Sequence, residues 1–431
     1  MSEPRDVSVK VPILARVEGE GALDLTIRQG RLETIRFHIY EPPRLFEKFL
    51  EGRSYAEVPD LVARICGICP VAYQMSAVHA IESIFECDPG PWVRAMRRLI
   101  YCGEWIESHA LHIHLLACPD FLGYESVTEM ARDYPDEVRR GLKLQGLGNE
   151  IIRFLGARSV HPVGVRVGGF HHAPSGRAAA ELLQKIKQAL AEAEALVRWT
   201  ASLDLPDDQQ DFTQVALSHP DEYPMNEGRI VSNRGLDITA DHYQEHFQES
   251  QVPHSTAFHC HLEGEPYLVG PLARVNLNLE RLHPRVRRLL DESGIQWPSQ
   301  NMFHSAVARA AEVYYALLEA ERILEQYQPQ QPFVEVTPRE GIGYACTEAP
   351  RGALWHGYVL DDEGRVRRAV IVPPTSQNQA RIEADLRTSL EAFGLDHSDD
   401  ALRLRAETVV RNYDPCISCS THFLKLRVRR D

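Results

Sequence analysis

A chain of 431 residues, 44% hydrophobic and 25% charged, is long enough to bury sizeable cores in two or three packed modules, and its composition excludes a disordered or fibrous protein. The 47 basic against 61 acidic side chains leave a formal charge of −14, which argues against nucleic acid or an anionic membrane surface as the main partner. The polar start Met1-Ser2-Glu3-Pro4-Arg5-Asp6 has no apolar signal core, and no uncharged apolar run approaches the roughly eighteen residues of a membrane span, so the expectation is a cytoplasmic protein without such a span.

In chain order, the first signal is a β-hairpin. Leu23, Leu25 and Ile27 alternate with Asp24, Thr26 and Arg28, Gln29-Gly30 makes the turn, and Ile35, Phe37 and Ile39 alternate on the return. After Glu41-Pro42-Pro43 the pattern becomes helical, with Leu45, Phe46, Phe49 and Leu50 on one face, and a second short helix runs into Arg64-Ile65-Cys66. Apolar spacings of three and four then predict long helices at about 70–86, 92–117, 136–157, 176–202 and 303–327. Several exceed the mean of about 11–12 residues, which points to a central bundle. Between 204 and 300 the chain is rich in His, Asp, Glu and Pro with short β-like runs. Beyond Phe333, strands at Val334–Val336 and Val366–Val372 and one helix at 378–394 lead towards the C-terminus. The fold class is therefore α+β and helix-rich, in four segments: a meander with its first helix (1–56), the long-helix bundle (57–203), an irregular α/β module (204–300), and a returning bundle helix with short strands (301–431).

Nine cysteines are present. Four form two Cys-x-x-Cys pairs, Cys66/Cys69 and Cys416/Cys419, at opposite ends of the chain; Cys87, Cys102, Cys118, Cys260 and Cys346 are scattered singly. In a reducing compartment this reads as metal ligands plus buried thiols, not disulfides. A local zinc knuckle keeps its pairs within a few tens of residues, so these pairs imply a site at a buried junction of the two chain ends. On spacing alone a four-cysteine zinc staple is the commoner outcome.

The flanks of the pairs decide between these. Arg64-Ile65-Cys66-Gly67-Ile68-Cys69-Pro70 and Asp414-Pro415-Cys416-Ile417-Ser418-Cys419-Ser420-Thr421-His422 resemble the two signatures of the nickel-iron hydrogenase large subunit. Further segments match in order: Arg16-Val17-Glu18-Gly19-Glu20-Gly21, Ser108-His109-Ala110-Leu111-His112, His161-Pro162-Val163 with Gly168-Gly169-Phe170, Glu348-Ala349-Pro350-Arg351-Gly352, and Pro374-Thr375-Ser376-Gln377-Asn378. Cys69-Pro70-Val71-Ala72-Tyr73-Gln74 and the absence of long insertions resemble the cytoplasmic, pyridine-nucleotide-linked branch that includes sulfhydrogenases. Tyr73 stands where many relatives carry a histidine, so that histidine's role does not transfer.

The resemblance implies Cys66 and Cys416 as terminal nickel ligands, and Cys69 and Cys419 as bridges to an iron atom carrying carbonyl and cyanide. Soft thiolates suit such metals, and sulfur has lone pairs enough to span two. It implies Glu18 as the carboxylate that relays a proton from Cys416; without the resemblance Glu18 would be an exposed turn acid. Arg351, after Pro350, would point its permanent cation at the metal pair, with Asp414 holding it by a paired hydrogen bond, and Pro350, Arg351 and Thr375 would line the cyanide ligands. Glu47 resembles the family glutamate that shares magnesium with the C-terminal histidine, here His422; iron is the other metal for that site. His109 and His112, three apart on one helix face, read as satisfied core or partner-interface histidines, and His171-His172 and His259-Cys260-His261 as structural.

Relatives are made with a C-terminal extension that an endopeptidase removes after the histidine matching His422. Phe423–Asp431 alternates Leu424, Leu426 and Val428 with Lys425, Arg427 and Arg429, as a removable extension or a retained edge strand would. The chain carries no Gly-x-Gly-x-x-Gly after a strand, no Walker loop and no iron-sulfur cysteine run. Electrons must therefore pass to another polypeptide. The resemblance supplies it: a small subunit with iron-sulfur clusters, then FAD and NAD(P) diaphorase subunits, with maturation factors assembling the centre. The activity implied is reversible heterolytic cleavage of hydrogen, with NAD(P) as distal acceptor and polysulfide as an alternative one. The competing readings are a quinone-site scaffold related to respiratory complex I, whose lineage has lost the nickel-ligating cysteines, and a zinc-stapled assembly protein.

Overall fold

The computed structural model describes residues 6–421. The meander has one strand more than the alternation indicated. β1 (Val7–Val11), β2 (Gly21–Arg28) and β3 (Arg31–Ile39) lie antiparallel in that order, with Val7 opposite Ile27 and Gly21 opposite Ile39. Two short helices follow, α1 (Phe46–Leu50) and α2 (Val58–Val62), and the chain enters the bundle through the first cysteine pair.

α3 (Pro70–Phe85) starts immediately after Cys69, with proline at its first position, where a missing N–H costs nothing. Two of its free first-turn amides, Val71 N and Ala72 N, donate to the buried Glu104 carboxylate at 2.6 and 3.0 Å. Glu104 belongs to α4 (Gly90–Leu111). The helix expected over 92–117 does not run uniformly: at His112–Ala117 it widens into a π turn before α5 (Cys118–Phe121). Pro119 explains this, because it cannot donate to the carbonyl four residues back and its ring crowds that carbonyl. α6 (Val127–Asp133) leads to α7 (Pro135–Gly156), which packs on α4 through a glycine pair. A Cβ on Gly148 would lie 2.6 Å from Gly103 O, so any larger residue would force the helices apart.

A two-stranded ribbon, β4 (Val165–Arg166) and β5 (Gly169–Phe170), precedes α8 (Gly176–Ala201), which is capped by Ser175. The next stretch holds the sheet of β6 (Val215–Ser218), β7 (Arg229–Ser232) and β8 (Asp237–Ile238), the short α9 (Tyr243–His246), and the hairpin of β9 (Phe247–Gln251) and β10 (Phe258–Leu262). α10 (Pro271–Leu277) and α11 (Pro284–Glu292) bring the chain to α12 (Ser305–Glu325), which is buried along nearly its whole length between α4 and α8.

Beyond α12 two expectations change. Val334–Val336 forms no strand: Phe333 makes a single bridge to Gly169, and Pro329, Pro332 and Pro338 prevent a longer ladder. Instead, β11 (Gly341–Ala349) and β12 (Gly352–Leu360) form a long buried hairpin that β13 (Val366–Val372) extends. α13 (Pro374–Phe393) starts four residues before the expected helix, and α14 (Asp399–Asn412), capped by Ser398, follows unannounced by the pattern.

Two hydrophobic cores matter for the site. The bundle core includes Cys66, Cys69, Cys416 and Cys419; a second core joins the meander to α13 and α14 and includes Ile417. The C-terminal cysteine segment thus straddles their boundary.

Where α10, α12 and β11 meet, a fully buried ion cluster replaces apolar packing. Arg274 Nε and Nη2 donate to Glu312 at 2.8 Å each, and Nη1 donates to Glu348 at 2.9 Å. Burial opposes the charge on Glu312, yet Arg274 and then His109 hold its carboxyl at about 2. Arg274 also donates to Ala349 O (2.7 Å) and Pro350 O (3.0 Å), so it fixes the turn from β11 to β12. Arg274→Met should cost about 3–5 kcal/mol by leaving two buried carboxylates without their cation. Chemical denaturation measures this, and a loss below about 1 kcal/mol would contradict a structural role.

Candidate metal centre

The four paired cysteines converge. Cys66 Sγ lies 3.3 Å from Cys416 Sγ, Cys69 Sγ lies 3.6 Å from Cys419 Sγ, and Cys416 and Cys419 are 2.7 Å apart. All four sulfurs fall within 4.8 Å of one another, and none of the four residues is more than 4% exposed. The fold fixes each pair locally. Ile68 N and Cys69 N both donate to Cys66 Sγ at 3.3 Å, curling the first loop around that sulfur at the start of α3. In the second loop, Cys416 N donates to Thr375 Oγ1 at 3.1 Å, and Cys419 N returns to Cys416 O at 3.2 Å.

The N-terminal segment clasps this second loop. Glu18 and Cys416 form a parallel bridge in which Ile417 N donates to Glu18 O at 3.0 Å. The half-buried Glu18 side chain lies 3.1 Å from Cys416 Sγ through Oε2, which also accepts from Ser418 N at 3.1 Å, while Ser418 Oγ donates to Oε1. Arg44, which the sequence did not single out, donates to Ile65 O (2.6 Å) and to Ser418 O, tying the two cysteine loops to each other.

Arg351 and Asp414 are paired beneath the sulfurs. Arg351 Nη2 donates to Asp414 Oδ1 at 2.9 Å and Nε to Asp414 O at 2.7 Å; both residues are buried. Burial opposes the guanidinium charge, but Asp414 first and then the sulfurs of Cys416, Cys69 and Cys66 keep it protonated. The turn that carries Arg351 depends on two glycines. Gly352 sits at φ +132°, and a Cβ on Gly270 would approach Arg351 O to 2.9 Å. A cavity of about 20 Å³ lies beside Arg351, lined by Leu268, Val269, Leu272 and Met302 among others. Pro350 is buried with its carbonyl bonded to Arg274, and Thr375 is 2% exposed.

The remaining expected residues are placed differently. Glu47 lies on α1, where its Oε1 accepts from Ile371 N at 2.7 Å; His422 and the tail Phe423–Asp431 fall outside the described residues. His109 and His112 are fully buried and not at a surface: His109 Nε2 bonds Glu312 (2.9 Å), and His112 Nε2 bonds Arg411 O (2.8 Å). Burial lowers both, to about 4 and about 3, so these imidazoles are neutral.

Four neighbours of the site went unread. Ser418 and Ser108 are common residues without a periodic signal; Ser108 Oγ accepts from Arg351 Nη1 at 3.4 Å. Glu107 is buried on α4, and its burial pushes the carboxyl up to about 8, with Arg351 opposing. His356, on β12, packs 5.7 Å from the ring of Tyr73, so a histidine from elsewhere lies beside the position where the motif lacks one.

Chemically, the cluster suits a soft cation. Burial, and then the neighbouring cysteines, push the Cys416 thiol well up, whereas Cys66 is pulled well below its usual range by its hydrogen bonds to Cys416, Cys419 and Cys69 and by Arg351, despite burial. The four sulfurs therefore do not all ionise on their own, and a thiophilic dication would displace the remaining protons.

Comparisons with known proteins bear on this centre. The family model described as "Nickel-dependent hydrogenase" matches residues 44–139 and 235–422. Sulfhydrogenase 1 subunit alpha of Pyrococcus furiosus is 33% identical over 429 residues, covering 97% of this chain and 98% of the relative. NAD-reducing hydrogenase HoxS subunit beta of Cupriavidus necator is 24% identical over 465 residues, covering 95% and 94%. A solved NAD+-reducing [NiFe]-hydrogenase in the H2-reduced state superposes with a TM-score of 0.85 at 26% identity, covering 98% of this chain and all of that one. A [NiFeSe] hydrogenase from Desulfovibrio vulgaris Hildenborough, 22% identical with a TM-score of 0.80, shares the fold.

Because protons compete for the raised thiols, metal uptake by the cluster should strengthen as pH rises and release protons as it proceeds. Cys416→Ser should abolish stoichiometric nickel, read by inductively coupled plasma mass spectrometry of the purified protein. Full nickel retention in that variant would remove Cys416 from the ligand set.

Proposed function

The chain belongs to the nickel-dependent hydrogenase family, as a large subunit with a nickel-iron active site, and from that premise we propose how its own residues carry out the cleavage of hydrogen. The observation that carries the reading is the meeting of four buried sulfurs with a carboxylate, Glu18, 3.1 Å from one of them. When bound, the nickel-iron pair supplies the centre that polarises hydrogen for heterolytic cleavage. Cys66, Cys69, Cys416 and Cys419 would hold the pair, with Cys69 and Cys419 also serving the iron.

Cys416 Sγ takes the proton and Glu18 Oε2 receives it from there. Ser418 holds the carboxylate in line through its amide and hydroxyl, and its Oγ also lies 3.5 Å from Glu41 Oε1, the next acceptor outward. A route Cys416, Glu18, Ser418, Glu41 thus leads from the dry centre to the surface. Arg351, kept cationic by Asp414, balances the excess negative charge of the thiolates and of the cyanide on iron. Thr375 fixes the backbone of Cys416 and would line the ligands of the iron. The carbonyl and cyanide on iron, and a magnesium or iron ion shared by Glu47 and His422, belong to this reading.

Electrons leave through a small subunit with iron-sulfur clusters and continue to FAD and NAD(P) on diaphorase subunits, with polysulfide as an alternative acceptor. The names of the related alpha and beta subunits and the superposition on an NAD+-reducing enzyme support that direction. Leu45 and Phe49, 41% and 49% exposed next to the Arg44 bridge between the cysteine loops, provide apolar surface for such a partner. No helix among the described residues is long and apolar enough to cross a membrane, in keeping with cytoplasmic operation.

Infrared spectroscopy of the purified complex should show bands of iron-bound carbonyl and cyanide; their absence from active protein would end the assignment. Glu18→Gln should keep those bands and the nickel while lowering hydrogen-dependent acceptor reduction by about 10²–10⁴-fold. Unchanged turnover in this variant would move the proton route elsewhere, with Glu107 the next residue to replace.

A further inference from the structure

Away from the four cysteines, one other group of side chains among the described residues gathers ligand atoms: His254, His259 and Glu383, one ligand atom of each lying within 4.8 Å of the others. We propose that these three form a second metal site, for a divalent first-row transition ion with nitrogen and oxygen ligands, best suited to zinc, closed by protein on three sides and open on the fourth.

The ligands come from three separated segments, and each is placed by other contacts. Glu383 projects from α13, eight residues beyond Thr375 and so about 12 Å further along that helix. His259 lies on β10. His254 follows Pro253 in the loop between β9 and β10, a loop that Thr256 ties to the meander: Thr256 N and Oγ1 donate to Ile39 O at 2.8 and 3.0 Å, and Oγ1 also donates to Glu41 O at 2.9 Å.

Both imidazoles present Nε2 to the one carboxylate. His254 Nε2 lies 2.7 Å from Glu383 Oε1, and His259 Nε2 lies 3.4 Å from Oε2. Ligands of a tetrahedral zinc at bonds of about 2.0–2.1 Å stand roughly 3.3–3.5 Å apart, so His259 already stands at the needed spacing from the carboxylate and the His254 contact would open by roughly 0.6–0.8 Å to admit an ion. Phe37 N donates to Glu383 Oε1 at 2.9 Å, the kind of outer hydrogen bond that orients a ligating carboxylate. His38 is engaged by Asp24 at 2.9 Å, and its ring packs edge-on against His254. His259 is 3% exposed and its Nδ1 has no partner, so the ring's one engagement is with the cluster. Two imidazoles and one carboxylate form the three-ligand set of open zinc sites, and imidazole nitrogen also accepts iron(II) and nickel(II).

His254 also lines a groove of about 870 Å³ with Tyr40, Glu249, Gln251 and Phe258, through which water or a small ligand could reach an ion held by the three side chains. An ion here would pin the β9–β10 hairpin to α13, whose first turn holds Cys416 through Thr375. The site stands on its own residues, and the nickel content of the cysteine centre reports independently of it.

The test uses the intact purified complex, stripped with a chelator, dialysed against zinc and then freed of excess metal. The wild type should retain a stoichiometric zinc per large subunit above its nickel, with a zinc-edge absorption spectrum showing nitrogen and oxygen neighbours and no sulfur, and zinc should raise its thermal midpoint. His259→Ala should lose the zinc and the thermal shift while keeping its nickel. His254→Gln, at a partly exposed position that leaves no core cavity, should do the same and serves if His259→Ala fails to fold. Absence of retained zinc in the wild type, sulfur in the zinc shell, or zinc retained in His254→Gln would overturn the proposal and leave a histidine–carboxylate hydrogen-bond cluster.

Discussion

The constraint on which the rest depends is that four thiols from opposite ends of the chain must meet where water is excluded. Loop closure over such a length adds little, about 0.6 kcal/mol per doubling. Desolvation is the larger opposing effect, because burial, ahead of the neighbouring cysteines, pushes the Cys416 thiol well up. The fold answers by placing the meeting point at the border of two cores, so that Cys416 and Cys419 pack with the bundle while Ile417 between them packs with the meander. Each core then anchors the same short loop from a different side.

The scaffold around that loop is mostly hydrogen bonds to backbone. Glu18 pairs with it by main chain and side chain, Thr375 caps Cys416 N, and Asp414 joins it to Arg351. Behind Arg351 stands the Arg274 cluster, which fixes the β11–β12 turn from α10 and α12. Charge is thus layered: thiols, then a buried guanidinium, then two buried carboxylates around a second guanidinium. Such a stack is rigid and oriented before any ligand arrives, which is what electrostatic preorganisation requires.

How much of this was legible in the sequence depends on the range of the interaction that sets each feature. The long helices read correctly because a 3.6-residue apolar period is a local property, as in α7 and α8, whose boundaries fall within about two residues of those expected. The β11–β12 hairpin did not read, since β12 and the second half of β11 are buried on both faces and Gly341, Gly343 and Gly357 break any alternation. At Val334–Val336 propensity favoured a strand, but no neighbouring edge runs alongside for more than a bridge. The cysteines and their flanks were readable as motifs, and the resemblance carried Glu18, Arg351, Asp414 and Thr375 to positions that the fold brings around the sulfurs. Ser418, Ser108, Glu107 and His356 acquire meaning only through tertiary proximity, and nothing local marks them. The His254, His259 and Glu383 group was invisible for the same reason: its members lie on three elements, and the His259-Cys260-His261 run alone looked structural.

The central claim is that the sulfurs of Cys66, Cys69, Cys416 and Cys419 share a nickel-iron pair. Nickel-edge X-ray absorption of the purified complex tests it most directly. The account predicts a nickel shell built of sulfur with an iron atom as near neighbour. Nickel coordinated by nitrogen and oxygen without sulfur, or zinc alone among the four cysteines, would contradict it.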